Sequence, residues 1–580
     1  MNYSDYNIKY ENWLSNPTLS ADALAELKSI ADDEKEKEYR FAKELDFGTA
    51  GMRGIIGYGT NMMNIYTVKR ATKGLADFIK ENGSKAMSAG VVISYDTRNF
   101  SLEFAKSAAG VLVQNGIQVY MYSHARPVPM LSFAVRELRA FAGIMITASH
   151  NPKIYNGYKV YGSDGAQLSP EATAKVVEYI DAVGDPFSVK SVAIKDRTAM
   201  ALLSYVPKRL ERKYYKTIVS LGLLRKIVKK YGKKLNIVYT PLHGTGYTPV
   251  TAVLKKMGLK VQVVSEQIIE DGNFPTVRVP NPEEKEALSY GIALAQKVNA
   301  DVVFGTDPDC DRLGVAVKND VGEFVSLSGN QVGVLILQYI LERLKAEDAL
   351  PSDAVVIKSF VSTNLAKSLC DSYGVRLIET PVGFKFIGEK IKEMLKDKSG
   401  TFIFGFEESC GYLRGTHSRD KDAVVASMLF AELSVWCNSR GKSVFDMLRD
   451  IYEKYGYVYD KTTSVAFGGV TAMDDMNAAV EKMRENPVSK INIYNVIAIR
   501  DYLSGVKKYF DGRPDEKLEY DGMNCLYYEL ENGSFICLRP SGTEPKLKIY
   551  FSVCATSEEL CGKFYDALSS AFLKMCGAID

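Results

Sequence analysis

The stretch GVVISYDTRNFSLEFAKSAAGVLVQNGIQVYMY, residues 90–122, determines the fold class. Its two ends are apolar runs rich in Val, Ile and Tyr, and the segment between them has the spacing of an amphipathic helix. A strand, a crossover helix and a second strand make a βαβ unit, which requires parallel pairing. A further helix around 128–138 and the apolar run FAGIMI at 141–146 extend the unit to βαβαβ.

The same pattern occurs twice more along the chain. A second unit runs through LNIVYTPLHGTG at 235–246, a helix near 247–257, KVQVVSE at 260–266 and DVVFGTDPDCDR at 301–312. A third runs through AVVIKSFVSTN at 354–364, VRLIETPVGFKF at 375–386 and TFIFGFEESCGY at 401–412. In each unit the third strand leads into the most polar loop. Open α/β sheets bind ligands outside the carboxyl ends of their strands. We therefore expect three mixed βαβ-type sheet domains with the same core topology, arranged around a central cleft.

The last part of the chain has a different pattern. From about residue 457, strand-like alternation appears in CLYYEL, SFICLR and KLKIYFSV, and a closing helix carries Leu560, Phe564, Leu568 and Phe572. This predicts a C-terminal α+β domain. At the other end, residues 20–45 have helical spacing, with the run DDEKEKE expected on a solvated helix face. The predicted domains are 1–206, 207–322, 323–456 and 457–580, each with one polar loop.

Composition narrows the class of protein. The chain has 580 residues, 46% hydrophobic and 25% charged, which is ordinary for a folded domain protein. No apolar run approaches the roughly 18 residues of a membrane span, and the N-terminus has no signal-like apolar region. The nine cysteines show no C-x-x-C pairing, and the net charge of +3 gives no electrostatic footprint for nucleic acid. We expect a cytoplasmic protein with reduced thiols and neither nucleic-acid nor membrane partners.

The loop DPDCDR suggests a metal site. Asp307, Asp309 and Asp311 stand at every second position, which puts three carboxylates on one side of an extended segment. Three like charges repel one another unless a cation neutralises them, and oxygen ligands suit Mg²⁺. An acidic turn or a calcium loop is the alternative, although an EF-hand lacks its required glycine here. Four histidines in the whole chain also disfavour a histidine-rich metal site.

The loop TASHNPKIYNGYK, residues 147–159, places Ser149 at the end of a buried strand. A serine that accepts a phosphoryl group needs exposure, nearby donors and a cation to offset charge. His150, Lys159 and the aspartates could supply the last two. The alternative is a simple turn formed by His-Asn-Pro.

Three further loops have weaker signals. RPSGTEPK, residues 539–546, offers a guanidinium, two hydroxyls and glycine-exposed amides, which suit a phosphate. GFEESCGY, residues 405–412, has Glu407 and Ser409 at alternating positions, suitable for vicinal sugar hydroxyls. FGTAGMRG, residues 47–54, surrounds Arg53 with glycines and could close on an anion.

TASHNPKIYNGYK, DPDCDR, GFEESCGY and RPSGTEPKLKIY together, in this order, resemble the four signature loops of the α-D-phosphohexomutase superfamily, specifically its phosphoglucomutase branch, which includes phosphopentomutase-like members. The resemblance spans about residues 40–580. Two departures are Phe406 and Ala423, where members of the family often have glycine. We expect them to bear on sugar choice more than on the reaction.

The resemblance implies roles for individual residues. Ser149 would be the phosphoserine, with Arg53, His150 and Lys159 beside it and Lys159 a candidate acid or base. Asp307, Asp309 and Asp311 would bind Mg²⁺ together with a Ser149 phosphoryl oxygen. The residues implied to bind substrate are Arg312, Lys385, Glu407, Ser409, His417, Lys421, Arg539, Ser541, Gly542 and Thr543.

The function that follows is a phosphosugar mutase. It would interconvert glucose 1-phosphate and glucose 6-phosphate through a phosphoserine enzyme, with glucose 1,6-bisphosphate as primer and intermediate. Pentose or mannose phosphates are alternative substrates, and the protein would be a monomer or a dimer. Two other classes stay open: a phosphatase with Asp307 as nucleophile, which fits poorly because Asp311 stands where that motif has Thr or Val, and a sugar-phosphate binder without catalysis.

Overall fold

The computed structural model describes residues 5–48, 51–195, 201–468, 471–541 and 545–577. The chain separates into two compact units. One unit comprises Met1–Val332 and Gly383–Ser443, and the other comprises Gly333–Val382 and Val444–Asp580. The predicted boundaries at 206, 322 and 456 stay a prediction, because neither unit coincides with a single predicted domain and residues 323–456 are divided between the two.

The first unit contains most of the predicted α/β elements. Its strands are β1 (Phe47–Gly48), β2 (Gly51–Ile55), β3 (Val91–Tyr95), β4 (Val119–Met121), β5 (Ala142–Ile146), β6 (Tyr155–Gly162), β7 (Leu203–Tyr205), β8 (Ile237–Thr240), β9 (Val261–Val263), β10 (Val302–Thr306), β11 (Leu313–Lys318) and β12 (Phe324–Leu327), with β15 (Thr401–Glu407) and β16 (Gly411–Leu413) later in the chain. Its helices are Asp5–Leu14, Ala21–Ser29, Glu34–Phe41, Ile65–Glu81, Gly83–Ala89, Ser101–Gln114, Val128–Leu138, Pro170–Ala182, Lys208–Ser220, Arg225–Tyr231, Tyr247–Met257, Ser289–Lys297, Phe384–Asp397 and Ala423–Ser439. Helix Gly329–Ala346 begins here and continues into the second unit.

Two sheets of this unit share one core topology. The first runs in the order β1-β2-β6-β5-β3-β4-β7 and the second in the order β12-β11-β10-β8-β9. In both, three parallel strands are followed by an antiparallel neighbour: β3, β4 and β5 with β6 in the first sheet, and β8, β9 and β10 with β11 in the second. The mixed βαβ sheets predicted from the sequence are confirmed.

The second unit holds β13 (Ala354–Ser359) and β14 (Arg376–Thr380), with helix Leu365–Tyr373 between them. These strands pair in parallel, and β15 pairs with β16 antiparallel in the first unit. Both pairings repeat those of the corresponding strands in the first two sheets. The third α/β segment therefore follows the same local rules.

The C-terminal part of the second unit is an α+β domain, as predicted, and its sheet is antiparallel. Its strands are β17 (Tyr457–Ala466), β18 (Lys490–Ile491), β19 (Tyr494–Asp501), β20 (Val506–Tyr509), β21 (Glu516–Lys517), β22 (Leu526–Leu530), β23 (Phe535–Pro540) and β24 (Lys546–Ala555), in the order β17-β24-β23-β22-β19-β20-β21 with β18 beside β19. Helices Val444–Tyr455, Ala472–Glu485 and Glu558–Met575 accompany it. The last helix buries Leu568 and Phe572 as expected, together with Cys561 and Tyr565, while Leu560 and Phe564 are half-buried.

Helix Ala423–Ser439 packs against three helices of the first unit, Lys208–Ser220, Arg225–Tyr231 and Tyr247–Met257, and its residues 423–437 are buried. The Glu432 carboxylate within it accepts hydrogen bonds from the amides of Leu223 and Leu224, at 2.7 and 2.6 Å. These amides lie at the start of helix Arg225–Tyr231, where N–H groups need an acceptor outside the helix. Among the described residues, no helix is long and apolar enough to cross a membrane.

Candidate active site

Ser149 lies in the loop after β5, with its backbone in the left-handed region at a φ of 52°. This conformation is uncommon for a residue with a side chain and needs support from its surroundings. The Ser149 amide donates to Thr147 Oγ1 at 2.8 Å. The buried Ser149 Oγ donates to Asp307 Oδ2 at 2.9 Å and lies 3.2 Å from His150 Nδ1. The predicted nucleophile and the first aspartate are therefore in contact.

The three aspartates follow β10, and all three are buried. One carboxylate oxygen from each lies within 4.8 Å of the others. Asp307 Oδ1 accepts the amides of Asp311 and Arg312 at 3.1 and 3.0 Å. In contrast, Asp309 Oδ1 and Asp311 Oδ1 are buried without a hydrogen-bond partner. Such atoms carry a large desolvation cost unless a cation or another donor satisfies them.

The pKa shifts of the three aspartates also show that their negative charge is poorly compensated. Burial raises the pKa of Asp307 well above its ordinary value, and the neighbouring Asp309 and Asp311 raise it further. Burial and then Asp309 also raise the pKa of Asp311. For Asp309 burial is again the largest cause and acts in the same direction, but Lys159, a hydrogen bond with Asp307 and the charge of Lys421 together outweigh it and hold the pKa below its usual range. The protein alone therefore stabilises one of these three carboxylates well, and the other two lack enough positive charge.

Two lysines contact the trio from different parts of the first unit. Lys159 of β6 donates to Asp309 Oδ2 at 3.0 Å. Lys421 lies 3.1 Å from Asp311 Oδ2 and 3.4 Å from Asp420 Oδ1. Although burial would lower it, the pKa of Lys421 is raised by Asp311, Asp420 and Glu407, so this lysine stays charged. The residues present fit a hard divalent cation, because three buried carboxylates outnumber the two lysines and two of their oxygens accept no hydrogen bond.

Backbone hydrogen bonds fix the position of this loop. The amide of Val128, at the start of a helix, donates to Asp309 O at 3.0 Å, and the amide of Ala423 donates to Cys310 O at 3.3 Å. The amide of Leu313 donates to Cys410 O at 3.0 Å, which ties the aspartate loop to the loop between β15 and β16. All three α/β segments of the sequence therefore contribute to one polar cluster within the first unit.

The cationic residues predicted near Ser149 lie around this cluster. Arg53 of β2 is exposed, and its Nη1 donates to Asn151 Oδ1 at 3.1 Å in the serine loop. Arg312 donates to Glu283 Oε1 at 2.9 Å, so a carboxylate outside the trio partners it. Burial, then the charges of Arg312 and Arg53, hold the pKa of His150 well below its ordinary value. His150 is thus a neutral imidazole beside the Ser149 hydroxyl.

Glu407 lies at the end of β15 and is buried. Its Oε1 accepts the amide of Gly383 at 2.7 Å. Burial raises the pKa of Glu407 to about 7, an effect that Lys421 only partly offsets. Ser409 is half-buried in the following loop.

Lys385 is half-buried, and its Nζ lies 4.8 Å from the centre of the Phe386 ring. It lines a cavity of about 150 Å³ together with Asp164, Gln167 and Lys392, among others. A contact between Lys385 and a substrate at the aspartate cluster stays a prediction.

His417 and Lys421 have different surroundings. His417 is buried and its Nε2 lies 2.7 Å from Asp422 Oδ2, which also accepts the Tyr214 hydroxyl at 2.8 Å. Asp422 caps helix Ala423–Ser439 through the amides of Val424 and Val425. His417 is therefore held in a structural network, whereas Lys421 contacts the aspartate trio directly.

The C-terminal loop belongs to the second unit. Arg539 is half-buried near the end of β23, opposite Lys548 of β24. The amide of Ser541 donates to Lys546 O at 2.8 Å and closes the connection between these strands. Gly542 and Thr543 lie outside the described residues.

Sequence reasoning missed a clamp behind the serine loop. The buried Arg98 guanidinium donates to the carbonyls of Ser149, Pro152 and Tyr155 at 2.6, 2.9 and 3.1 Å. Asp96 accepts the Thr147 hydroxyl at 2.6 Å, and Thr147 in turn accepts the Ser149 amide. These contacts hold the left-handed serine in place. The sequence feature that indicates this clamp is YDTRN, in which Asp96 and Arg98 follow β3 at its carboxyl end.

Comparisons with known proteins agree with this geometry. The chain matches the family descriptions "Phosphoglucomutase/phosphomannomutase, alpha/beta/alpha domain I" over residues 44–185, domain II over 212–322 and domain III over 328–455. A phosphoglucomutase of Staphylococcus haemolyticus is 37% identical over 520 residues, covering 89% of this chain and 92% of that protein. One from Staphylococcus aureus strain USA300 is 37% identical over 542 residues, covering 93% and 95%. The chain belongs to the phosphoglucomutase/phosphomannomutase family, within the α-D-phosphohexomutase superfamily.

Solved structures support the fold. Parafusin, a phosphoglucomutase from Paramecium in an open form, matches with a TM-score of 0.67 at 15% identity over 92% of this chain and 95% of that one. A phosphoglucomutase/phosphomannomutase family protein from Burkholderia thailandensis matches with a TM-score of 0.63 at 20% identity over 92% and 98%. Together with the family matches, they confirm the predicted α/β segments with a further C-terminal domain. The protein is an enzyme of the isomerase class.

The clamp gives a first prediction. Replacing Arg98 with Met removes the donors to four carbonyls, those of Ser149, Asn151, Pro152 and Tyr155, and leaves Asp96 without its buried cationic partner. Because a displaced nucleophile can cost about 100-fold in rate, we expect kcat for a hexose phosphate to fall by about that factor with KM nearly unchanged. Arg98→Lys should recover part of kcat. The matched control is Arg209→Met, at an exposed arginine. Equal changes in kcat and KM, or none, would contradict the positioning role.

The aspartate trio gives a second prediction. Asp309→Asn removes one of three carboxylates without changing side-chain volume, so Mg²⁺ should bind at least about tenfold more weakly, as measured by calorimetry. Turnover should be nearly lost, while the melting temperature without metal shows that the fold is retained. Asp320→Asn, at an exposed residue, is the control. Unchanged Mg²⁺ affinity in Asp309→Asn would exclude the trio as the metal site.

Proposed function

We propose that the protein is a phosphoglucomutase that interconverts glucose 1-phosphate and glucose 6-phosphate. Ser149 would carry the transferred phosphoryl group, and glucose 1,6-bisphosphate would be both primer and intermediate. One observation carries the proposal: Ser149 Oγ, in a left-handed loop, lies 2.9 Å from Asp307 in a buried cluster suited to a cation. The names of the staphylococcal relatives support the choice of sugar.

We infer that Asp307, Asp309 and Asp311 hold Mg²⁺. When bound, the ion would offset the negative charge of the phosphoryl group that Ser149 carries. The support is the pair of buried, unpartnered oxygens on Asp309 and Asp311.

The reaction needs proton control around the Ser149 oxygen. When Ser149 transfers its phosphoryl group to a sugar hydroxyl, that hydroxyl must lose a proton and the serine oxygen must regain one. Neutral His150, 3.2 Å from Ser149 Oγ, is placed to hydrogen-bond the serine oxygen. Lys159, held by Asp309, is a candidate acid or base on the same side of the cluster. Arg53 adds positive charge at the serine loop through Asn151.

The remaining proposed contacts recognise the sugar and its second phosphate. Glu407 and Ser409 would accept or donate hydrogen bonds to vicinal hydroxyls, with Lys421 charged beside them. Arg312, Lys385 and His417 are further proposed substrate contacts, and Arg312 Nε lies 4.0 Å from Asp311 Oδ1. The C-terminal loop, with Arg539, Ser541, Gly542 and Thr543, would hold the phosphate that does not react. The support for that loop is the arrangement of donors in its sequence.

We further propose a cytoplasmic enzyme built from four domains, 1–206, 207–322, 323–456 and 457–580, acting on a free phosphosugar as a monomer or dimer. The nine cysteines are thiols in the structure, as expected in a reducing compartment. The three family matches end or begin close to the first three boundaries.

The nucleophile can be identified by labelling. Incubation with glucose 1,6-bisphosphate labelled at phosphorus should leave an acid-stable phosphoester on Ser149, and Ser149→Ala should abolish both the label and turnover. Ser163→Ala, at a serine in the neighbouring loop, is the control. An alkali-labile acyl phosphate on Asp307 would instead indicate the phosphatase alternative. Binding of hexose phosphate without label or turnover would indicate the non-catalytic alternative.

Glu407 gives a pH prediction. Its carboxyl has a pKa raised to about 7, so it is ionised above that pH and protonated below it. Only the ionised form offers two acceptor oxygens to sugar hydroxyls. KM for glucose 1-phosphate should therefore rise about tenfold for each unit that pH falls below 7. Glu407→Gln should keep only the dependence due to the substrate phosphate, whose second pKa is near 6. Identical pH profiles for the two proteins would exclude Glu407 from sugar binding.

A further inference from the structure

The charge of this chain is strongly segregated, although its net value is only +3. Residues 208–265 contain 14 of the 73 basic residues and one of the 70 acidic residues, Glu211. That segment therefore carries +13, and the rest of the chain carries −10. The whole-chain net charge, which argued against anionic macromolecular partners, conceals this local excess.

Nine of the 14 basic residues lie on two helices, and Lys255 and Lys256 lie in the last turn of a third, Tyr247–Met257. In helix Lys208–Ser220 they stand at positions 208, 209, 212, 213 and 216, and in helix Arg225–Tyr231 at 225, 226, 229 and 230. This spacing puts each set on a single helix face. The opposite faces bury Leu210, Ile218 and Val228, among others. Each helix thus presents a basic stripe to solvent.

The stripes belong to a common surface, which we call the basic face: the Lys and Arg side chains of residues 208–234 and 255–260. Helices Lys208–Ser220 and Arg225–Tyr231 both contact helix Tyr247–Met257, and all three pack on the buried helix Ala423–Ser439. All 14 basic side chains of residues 208–265 are exposed. The basic face is therefore a broad surface and not a single helix edge.

Little of this charge is neutralised within the protein. Among the described residues, only Lys213 of these 14 forms an ion pair, with Glu137. The one acidic residue of the segment, Glu211, contacts Arg126 at 3.0 Å instead. Like charges crowded on a surface repel one another and disfavour the compact state unless counter-charge is supplied from outside. The basic face is thus suited to a polyanion.

The composition of the basic face distinguishes between polyanions. Eleven of its 14 basic residues are lysines, and only Arg209, Arg212 and Arg225 are arginines. Lysine acts as a hydrated point charge, whereas recognition of nucleic acids relies on the planar, bidentate fork of arginine. Two exposed tyrosines lie on the same stretch of chain: Tyr205, three residues before Lys208, is 58% exposed, and Tyr247, the first residue of helix Tyr247–Met257, is 40% exposed. Exposed aromatic rings beside clustered lysines are typical of proteins that contact a membrane interface.

We propose that the basic face docks this protein reversibly on the surface of an anionic phospholipid bilayer. The attraction is electrostatic, with the lysines near the phosphodiester headgroups and Tyr205 and Tyr247 at the level of the interface. The docking is peripheral, since no helix in the described part of the chain could cross the bilayer. This inference is independent of the proposed function, because it uses residues outside the candidate active site.

Co-sedimentation with vesicles tests the proposal. The full-length protein should bind mixed phosphatidylcholine–phosphatidylglycerol vesicles at low ionic strength, and should not bind pure phosphatidylcholine vesicles. Binding should be lost at about 0.5 M salt, where surface charges are screened within a few ångströms. The charge-reversal variant K226E/K229E/K230E/K233E should bind at least about tenfold more weakly, since each basic residue near an anionic surface contributes about fivefold.

A matched variant separates the basic face from net charge. K85E/K106E/K175E/K396E changes the net charge equally at exposed lysines elsewhere. It should keep most of the vesicle binding, and both variants should keep the wild-type melting temperature. If the matched variant loses as much binding, if pure phosphatidylcholine vesicles bind equally well, or if a DNA duplex at equal phosphate concentration displaces the protein from the vesicles, the bilayer proposal is overturned.

Discussion

The burial of three carboxylates at the end of one strand is the constraint on which the candidate site depends. Asp307, Asp309 and Asp311 are almost free of solvent, so their charge must be met by groups of the protein or by a bound cation. Lys159 comes from the first α/β segment and Lys421 from the third, and each meets a different aspartate. Since the lysines themselves are buried, neither segment could be removed without leaving a charge unpaired. Packing of the first unit and formation of the site are therefore one process.

The repeated strand topology explains why chemistry collects in these loops. In each α/β segment the strand that carries the polar loop, β5, β10 or β15, turns back into an antiparallel neighbour. Each of these turns contains a left-handed residue with a side chain: Ser149, Cys310 and Cys410 have φ of 52°, 51° and 60°. Such a turn directs backbone groups away from the sheet, where they can bond to another segment, as Cys410 O does with the amide of Leu313. The three turns are thus equivalent in the fold, and they differ in the polar side chains that they carry.

The sequence pattern predicted the elements that depend on interactions between residues close together in the chain. Helix Ser101–Gln114 and the strands around it follow from periodicity, and the acidic trio follows from its spacing. Residues 20–45 have the spacing of a single helix, but the structure has two helices there, Ala21–Ser29 and Glu34–Phe41. The Asp33 side chain accepts the amide of Glu36 and starts the second one. For the Arg98 clamp, YDTRN indicates polar side chains at the end of β3 but not what they bind, since the acceptors of Arg98 are backbone carbonyls more than 50 residues away.

Two residues depart from the family pattern, Phe406 and Ala423, and the structure buries both. Phe406 is buried in β15 with its ring stacked on Phe404, at 5.8 Å between ring centres. Because side chains alternate along a strand, Phe406 and Glu407 point to opposite faces of the sheet. Ala423 is also buried, and its amide holds the carbonyl of Cys310 within the aspartate loop. Both side chains therefore fill space behind the polar cluster. Their extra volume acts on how the loops are held, and an effect of these two residues on sugar choice stays a prediction.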